Sequence, residues 1–274
     1  MKTLWNSQVY TTVSRLGDGE LLSKTILLST GYEVVTHIAA ATDSFVISDA
    51  GWEIYRSPES RFNGGNRVDA LIGRTAYFGL GPILRGVGAA DGELPRELLG
   101  ECVKGIIQAE TYLYQERGYS STKEYETFWR STYRDICRLY SNFERSSQTW
   151  YQHIANRKWG DSLFTRCKTA VIQEQADRTL LITASFSDSF HELGLNLIIN
   201  HGVITAADGT YFRAPDAVCF ENTTHLTALI GRPAAELTRK AVGECTGGPQ
   251  GCNHLVDLVG HAIKTWQEAQ TKLG

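Results

Sequence analysis

Two stretches of the chain can be laid over one another without a gap, and this limits its possible folds more than any other feature. Val46-Ile47-Ser48-Asp49-Ala50-Gly51-Trp52-Glu53-Ile54-Tyr55-Arg56-Ser57-Pro58 aligns with Val203-Ile204-Thr205-Ala206-Ala207-Asp208-Gly209-Thr210-Tyr211-Phe212-Arg213-Ala214-Pro215. Polar stretches follow, Asn63-Gly64-Gly65-Asn66 in one and Asn222-Thr223-Thr224 in the other. Then Asp69-Ala70-Leu71-Ile72-Gly73-Arg74 matches Thr227-Ala228-Leu229-Ile230-Gly231-Arg232. A third echo, Leu99-Gly100-Glu101-Cys102 against Val242-Gly243-Glu244-Cys245, keeps the same order. Ordered matches of this kind point to a duplicated module of roughly 90–100 residues. The alternative is chance likeness between ordinary strand–turn–helix segments. On the first reading, 1–110 is a degenerate first repeat, 111–165 a linker and 166–274 a second repeat.

The second copy predicts three short strands. Thr179 to Phe186, His191 to Ile199 and Val203 to Phe212 are rich in apolar and β-branched residues. Asn200-His201-Gly202 supplies a tight turn, and short connections favour an antiparallel meander. After Pro215, Leu226, Leu229 and Ile230 form an apolar face behind the capping residues Asn222 and Thr223. Pro233 opens a second helix with Leu237, Ala241 and Val242. Leu255, Leu258, Val259, Ile263 and Trp266 mark one face of the last helix. The fold class is therefore α+β: tandem modules, each a small antiparallel sheet of about three strands backed by helices. The intervening segment is crowded with aromatic residues, and Tyr125, Trp129, Ile136, Tyr140 and Phe143 recur near the helical period. It reads as a helical linker, with core packing or an aromatic-substrate pocket as its two uses.

Composition narrows the functional classes. A formal charge of −3 and the lack of a basic run argue against nucleic acid and anionic membranes as partners. The apolar stretches are too short to span a bilayer, and MKTLWNSQVY turns polar too early for a signal peptide. Six cysteines without dense spacing read as reduced thiols, so a cytoplasmic location is expected. A small-molecule substrate is the expected partner; a homo-oligomer is left open.

Most reactive groups fall in the second copy. Cys219 follows the third strand, while Cys245, Cys252 and His254 lie in Cys-Thr-Gly-Gly-Pro-Gln-Gly-Cys-Asn-His before the last helix. Asp188, His191 and Glu192 stand around the start of the second strand. Thiolates and imidazoles suit Zn²⁺ or Fe²⁺, and His191, Cys219, Cys252 and His254 are the candidate ligands. Cys252 at a helix start is equally a candidate catalytic thiol, with His254 as its acid–base partner. Against both stands the reading of Cys219 and Cys245 as small buried hydrophobes. Asp188 and His191 are candidate proton-transfer groups, or else part of a polar hairpin turn. Asp257 and His261 share a helical face with His254. Arg56 and Arg213, equivalent in the two copies, are candidates for binding a substrate carboxylate or for an internal bridge. No phosphate loop or dinucleotide signature is present, so no nucleotide cofactor is expected. The first copy has Phe62 or Asn63 where Cys219 would fall; Glu33 and His37 are its nearest match to the polar pair at His191.

Four segments carry a resemblance to a bacterial family numbered 2889 among the domains of unknown function. They are Ser187-Asp188-Ser189-Phe190-His191-Glu192, Arg213-Ala214-Pro215 with Cys219, Leu229-Ile230-Gly231, and Gly251-Cys252-Asn253-His254-Leu255 with Asp257. The resemblance covers about 163–266 and implies catabolism of aromatic or related carboxylic compounds; Asn253 stands where the family usually carries Thr. The second copy is also similar to iron–sulfur scaffold proteins of the IscU type, whose three cysteines converge after three strands. Cys219 and Cys252 fit two of those places, and the third falls near Asp188 to His191, which implies a metal pocket of His191, Cys219 and Cys252. The expected activity is a metal-assisted lyase or hydrolase acting on a small aromatic or carboxylated metabolite. The alternatives are a noncatalytic metal- or ligand-binding or assembly module and a metal-free cysteine-dependent enzyme.

Overall fold

A computed structural model describes residues 1–17, 19–154, 160–176 and 178–273. The strands are β1 (Lys2–Gly17), β2 (Glu20–Ser29), β3 (Glu33–Ala41), β4 (Ile47–Arg56), β5 (Gly64–Arg67), β6 (Ser162–Glu174), β7 (Leu180–Asp188), β8 (Glu192–Asn200) and β9 (Val203–Arg213). The helices are α1 (Gly81–Asp91), α2 (Glu93–Leu113), α3 (Thr122–Thr132), α4 (Arg138–Ser141), α5 (Trp150–His153), α6 (Arg239–Thr246) and α7 (Asn253–Leu273). The class is α+β. None of the described helices is long and apolar enough to cross a membrane.

The chain divides into two compact units, neither contiguous in sequence. The first holds residues 8–125 and 158–167; the second holds 1–7, 126–157 and 168–274. Strand order in the first unit is β5-β4-β3-β2-β1-β6, and in the second β1-β6-β7-β8-β9, with β1 and β6 each contributing to both. Three-stranded modules were therefore too small an estimate. The two extra long strands escape pattern reading for a physical reason. The inward face of β1 carries Ser7 and Thr11 between Trp5, Val9 and Val13. The inward face of β6 carries Arg166 and Lys168 between Phe164 and Ala170. Polar groups at buried positions erase the alternation that announces a strand.

Within each unit the meander follows the same plan. In β3–β4, Glu33 pairs with Arg56, Val34 with Ile54 and Ala40 with Ile47, with register shifts at Glu33/Val34 and Ala39/Ala40. In β8–β9, Glu192 pairs with Arg213, Leu193 with Tyr211 and Ile199 with Ile204, with shifts at Glu192/Leu193 and Ile198/Ile199. Bulges are local features that bend a strand and re-aim its side chains, so their matched placement fixes the residue correspondence. The following loops also match. Ile47 N donates to Arg74 O and accepts at its own carbonyl from Gly73 N; Ile204 does the same with Arg232 and Gly231. Gly73 and Gly231 both have the positive φ that glycine adopts at least cost.

The third sequence echo does not correspond in space: Leu99 to Cys102 lie inside α2, whereas Val242 to Cys245 lie on α6. The better partners are α2 and α7, each 21 residues long. The stretch after Pro215 is a run of 3₁₀ turns, Ala217–Leu229, capped by Asp216 rather than by Asn222 or Thr223. Asn222 is instead buried and donates to the Cys219 carbonyl. The aromatic segment is helical in pieces: α3, two single-turn helices and a 3₁₀ turn.

In the second unit, α7 lays Leu255, Leu258, Val259, Ile263 and Trp266 against a core that includes Trp5, Phe186, Leu195, Ile204 and Leu229. Burying side chains of this size contributes about 1.5–3 kcal/mol each before entropy is charged. In the first unit, Val9, Leu27, Val34, Ile54 and Leu98 form a buried cluster, with Tyr32, Trp52 and Leu94 packed on it.

Candidate metal centre

Asp188 ends β7 and is buried, and its carboxylate organises the next turn. Oδ1 accepts from the backbone N–H groups of Phe190 at 2.8 Å and His191 at 2.7 Å. The turn closes through Asp188 N donating to His191 O at 2.8 Å. A short acceptor side chain at the end of a strand makes this turn locally, which is why Asp suits the position. The same Oδ1 lies 3.2 Å from His191 Nδ1.

His254 arrives from the other side, as the second residue of α7. Its Nε2 is 4.0 Å from Asp188 Oδ2, and its ring stacks on that of His191 with centroids 3.8 Å apart. Phe186 also packs on His254 in a T-shaped contact, with centroids 5.3 Å apart. The donor atoms of Asp188, His191 and His254 all lie within 4.8 Å of one another. Asp188 and His191 are buried, while the His254 side chain keeps 23% exposure.

Cys252 caps α7 just before His254, with Sγ 3.9 Å from His254 Nδ1. His254 thus turns Nδ1 to sulfur and leaves Nε2 for the carboxylate side. Burial would raise the Cys252 thiol, but the His254 hydrogen bond, the His254 charge, the Tyr211 hydroxyl and the Leu255 amide together bring it below the ordinary thiol value. Burial first, and then the neighbouring His191, push the His254 imidazole below its ordinary value. The two effects oppose each other, since a neutral His254 helps a thiolate less than an imidazolium does. Tyr211, at the end of β9, sets its hydroxyl beside this sulfur without forming a well-made hydrogen bond.

Two further thiols surround Cys252. Burial pushes Cys219 up to about 12, and the nearby Cys252 adds to the rise. Burial likewise pushes Cys137 up to about 11. Cys137 was not among the residues singled out from sequence. It is brought in because Arg138 N donates to Gly251 O at 2.9 Å and the Arg138 side chain bonds to Glu221, Asn222 and Gln250 O. Gly251 has no alternative there: a Cβ would run into the carbonyls of Thr246 and Gly247.

Of the expected ligands His191, Cys219, Cys252 and His254, the two imidazoles come together with the Asp188 carboxylate, and Cys252 Sγ lies 3.9 Å from His254 Nδ1. Cys252 belongs to the buried core, with the Tyr211 hydroxyl beside its sulfur. Cys245 sits on α6 with its sulfur 3.9 Å from Ala228 O. Asp257 is paired with Arg239 at 2.7 Å. The paired arginines both donate to backbone carbonyls. Arg213 Nη2 donates to Asp188 O at 2.6 Å and His191 O at 3.2 Å. Arg56 donates to Ser29 O at 2.8 Å, Thr30 O at 2.9 Å and Tyr32 O at 3.3 Å. Each arginine thus holds a turn of its own unit through backbone carbonyls.

By the matched registers, Ser29 occupies the place of Asp188 and Tyr32 that of His191. Ser29 Oγ accepts from the N–H groups of Gly31 and Tyr32, as Asp188 Oδ1 does from Phe190 and His191. Ile54 stands for Tyr211, and Leu94, second in α2, for His254. His37 corresponds to Asn196 rather than His191, and pairs with Asp49 at 3.0 Å.

Residues 170–267 match the model of a family described as Protein of unknown function (DUF2889). No curated protein and no solved structure matches the chain, and the likeness to iron–sulfur scaffolds gains no support from that side.

Proposed function

We propose that the DUF2889 segment of this chain, residues 170–267, holds a divalent metal on Asp188, His191 and His254 and serves a lyase or hydrolase of small carboxylated or aromatic metabolites. The observation that carries this reading is the approach of three ligand atoms, one carboxylate and two imidazoles, within 4.8 Å. Two imidazoles with one carboxylate suit Zn²⁺ or Fe²⁺ and leave coordination positions open. Bound metal would supply Lewis acidity toward a substrate carbonyl or a water molecule. The chain's own groups orient the ligands. Asp188 is fixed by two backbone donors, and Cys252 holds the Nδ1 side of His254, as outer partners of metal-bound histidines do.

The shared bulges, turns and arginine clamps support a tandem duplication in which the first copy has apolar or neutral residues at the ligand positions. Free cysteines throughout favour a reducing compartment such as the cytoplasm.

Metal content of untagged protein, followed by Zn²⁺ and Fe²⁺ titration of wild type and His254→Ala, tests the reading. Stoichiometric binding lost in the variant is expected. Equal, weak binding by both proteins would reject it. Binding without turnover across carboxylated and aromatic substrates would favour a noncatalytic module. A second reading rests on the row Cys252–His254–Asp188, with separations of 3.9 and 4.0 Å, which suits a cysteine nucleophile. Turnover that is independent of metal and lost in Cys252→Ala would favour it.

A further inference from the structure

Two of the three proposed ligands, Asp188 and His191, are the first and last residues of one four-residue turn. Their side chains are held by the turn's own hydrogen bonds, but the turn itself is held from outside. Arg213 Nη2 bonds both terminal carbonyls, Asp188 O at 2.6 Å and His191 O at 3.2 Å. Arg213 stands opposite Glu192 at the end of β9, beside the register shift at Glu192/Leu193. One guanidinium nitrogen therefore braces the backbones of two ligands from outside, beside the turn's own bond from Asp188 N to His191 O.

We propose that Arg213 is a positioning residue for the metal centre: it acts through the Asp188–His191 turn to bring the carboxylate and imidazole to one ion. This rests on the metal reading above. Arg56 clamps the corresponding Ser29–Tyr32 turn through Ser29 O and Tyr32 O, where neither a carboxylate nor an imidazole is carried. The clamp is thus a shared structural device, and only in the second unit does it bear on ligand geometry. Outer groups that orient ligands change metal affinity by about 10–100-fold when removed.

The test compares full-length wild type, Arg213→Gln, Arg213→Lys and Arg56→Gln. Zn²⁺ affinity is read by competition with a chromophoric chelator, coordination by the visible spectrum of Co²⁺, and folding by thermal unfolding. Arg213→Gln is expected to bind Zn²⁺ at least tenfold more weakly with an altered Co²⁺ spectrum. Arg213→Lys, which keeps a donor on the turn, should recover part of the loss and also serves if the glutamine variant fails to fold. Arg56→Gln should match wild type in affinity within about twofold while losing a similar amount of thermal stability. Wild-type affinity and spectrum in both Arg213 variants would overturn this proposal alone. Equal losses in the Arg56 and Arg213 variants would overturn it too, by showing a purely structural clamp. Failure of wild type to bind either ion would overturn the metal reading and this inference with it.

Discussion

Asp188 Oδ1 lies 3.2 Å from His191 Nδ1 and at the same time accepts two backbone N–H groups of its own turn. One carboxylate therefore shapes the backbone and faces the proposed metal. Asp188→Asn keeps an acceptor for the turn but removes the charge. Its Zn²⁺ affinity should fall at least tenfold with little change in stability. Asp188→Ala should also lose about 2–3 kcal/mol in chemical denaturation, since buried donors are left unpaired.

Cys252 and His254 can be separated by mutation. On the metal reading, Cys252→Ala leaves all three donors in place, so binding should stay stoichiometric with affinity lowered by no more than about 10–100-fold, the effect of an outer partner. His254→Ala should abolish stoichiometric binding. Isothermal titration of both variants checks this, and the reverse order of effects would sink the assignment.

Alkaline pH should loosen the second unit. Burial raises Cys137 to about 11 and Cys219 to about 12 from an ordinary value of 9.0. Groups raised by folding contribute stability that is full below the unfolded value and lost as pH rises through the folded one. Denaturation midpoints should therefore hold up to about pH 9 and then decline toward pH 12. Cys219→Ala should flatten part of that decline. At pH 7 both thiols should resist alkylation until the protein is unfolded.

Gly209 in β9 has no room for a side chain. An added Cβ would come within 2.7 Å of Leu226 Cδ1 and 2.9 Å of Gly194 O. Gly209→Ala should cost about 1–3 kcal/mol by overpacking. Thermal unfolding would reveal it, and an unchanged midpoint would mean that β9 shifts to accommodate the methyl group.

The β7–β9 meander was legible because its apolar strands and tight turn are local, and β2–β4 was expected only through the repeat. Arg56 and Arg213 were visible as a pair, but sequence could not show that both turn to backbone carbonyls. The long β1 and β6 were hidden by Ser7, Thr11, Arg166 and Lys168 on their buried faces. At the site, Asp188, His191, Cys252 and His254 were read as reactive, whereas the approach of the Asp188 carboxylate to both imidazoles depends on side-chain direction. Cys137 had no signal of its own, since the Arg138–Gly251 bond that carries it in joins residues far apart in the chain.

The opening strand has a consequence for how this protein comes into being. Trp5 packs in the same core as Ala170, Ile172 and Trp266, and residues 1–7 belong to the unit that also holds 168–274. That segment leaves the ribosome long before its partners exist, so the second unit can be completed only after its distant residues have been made. Closing so long a loop is paid in chain entropy and slows folding relative to local contacts. A fragment cut to the family-matched residues 170–267 would lack Trp5 and expose the core it covers.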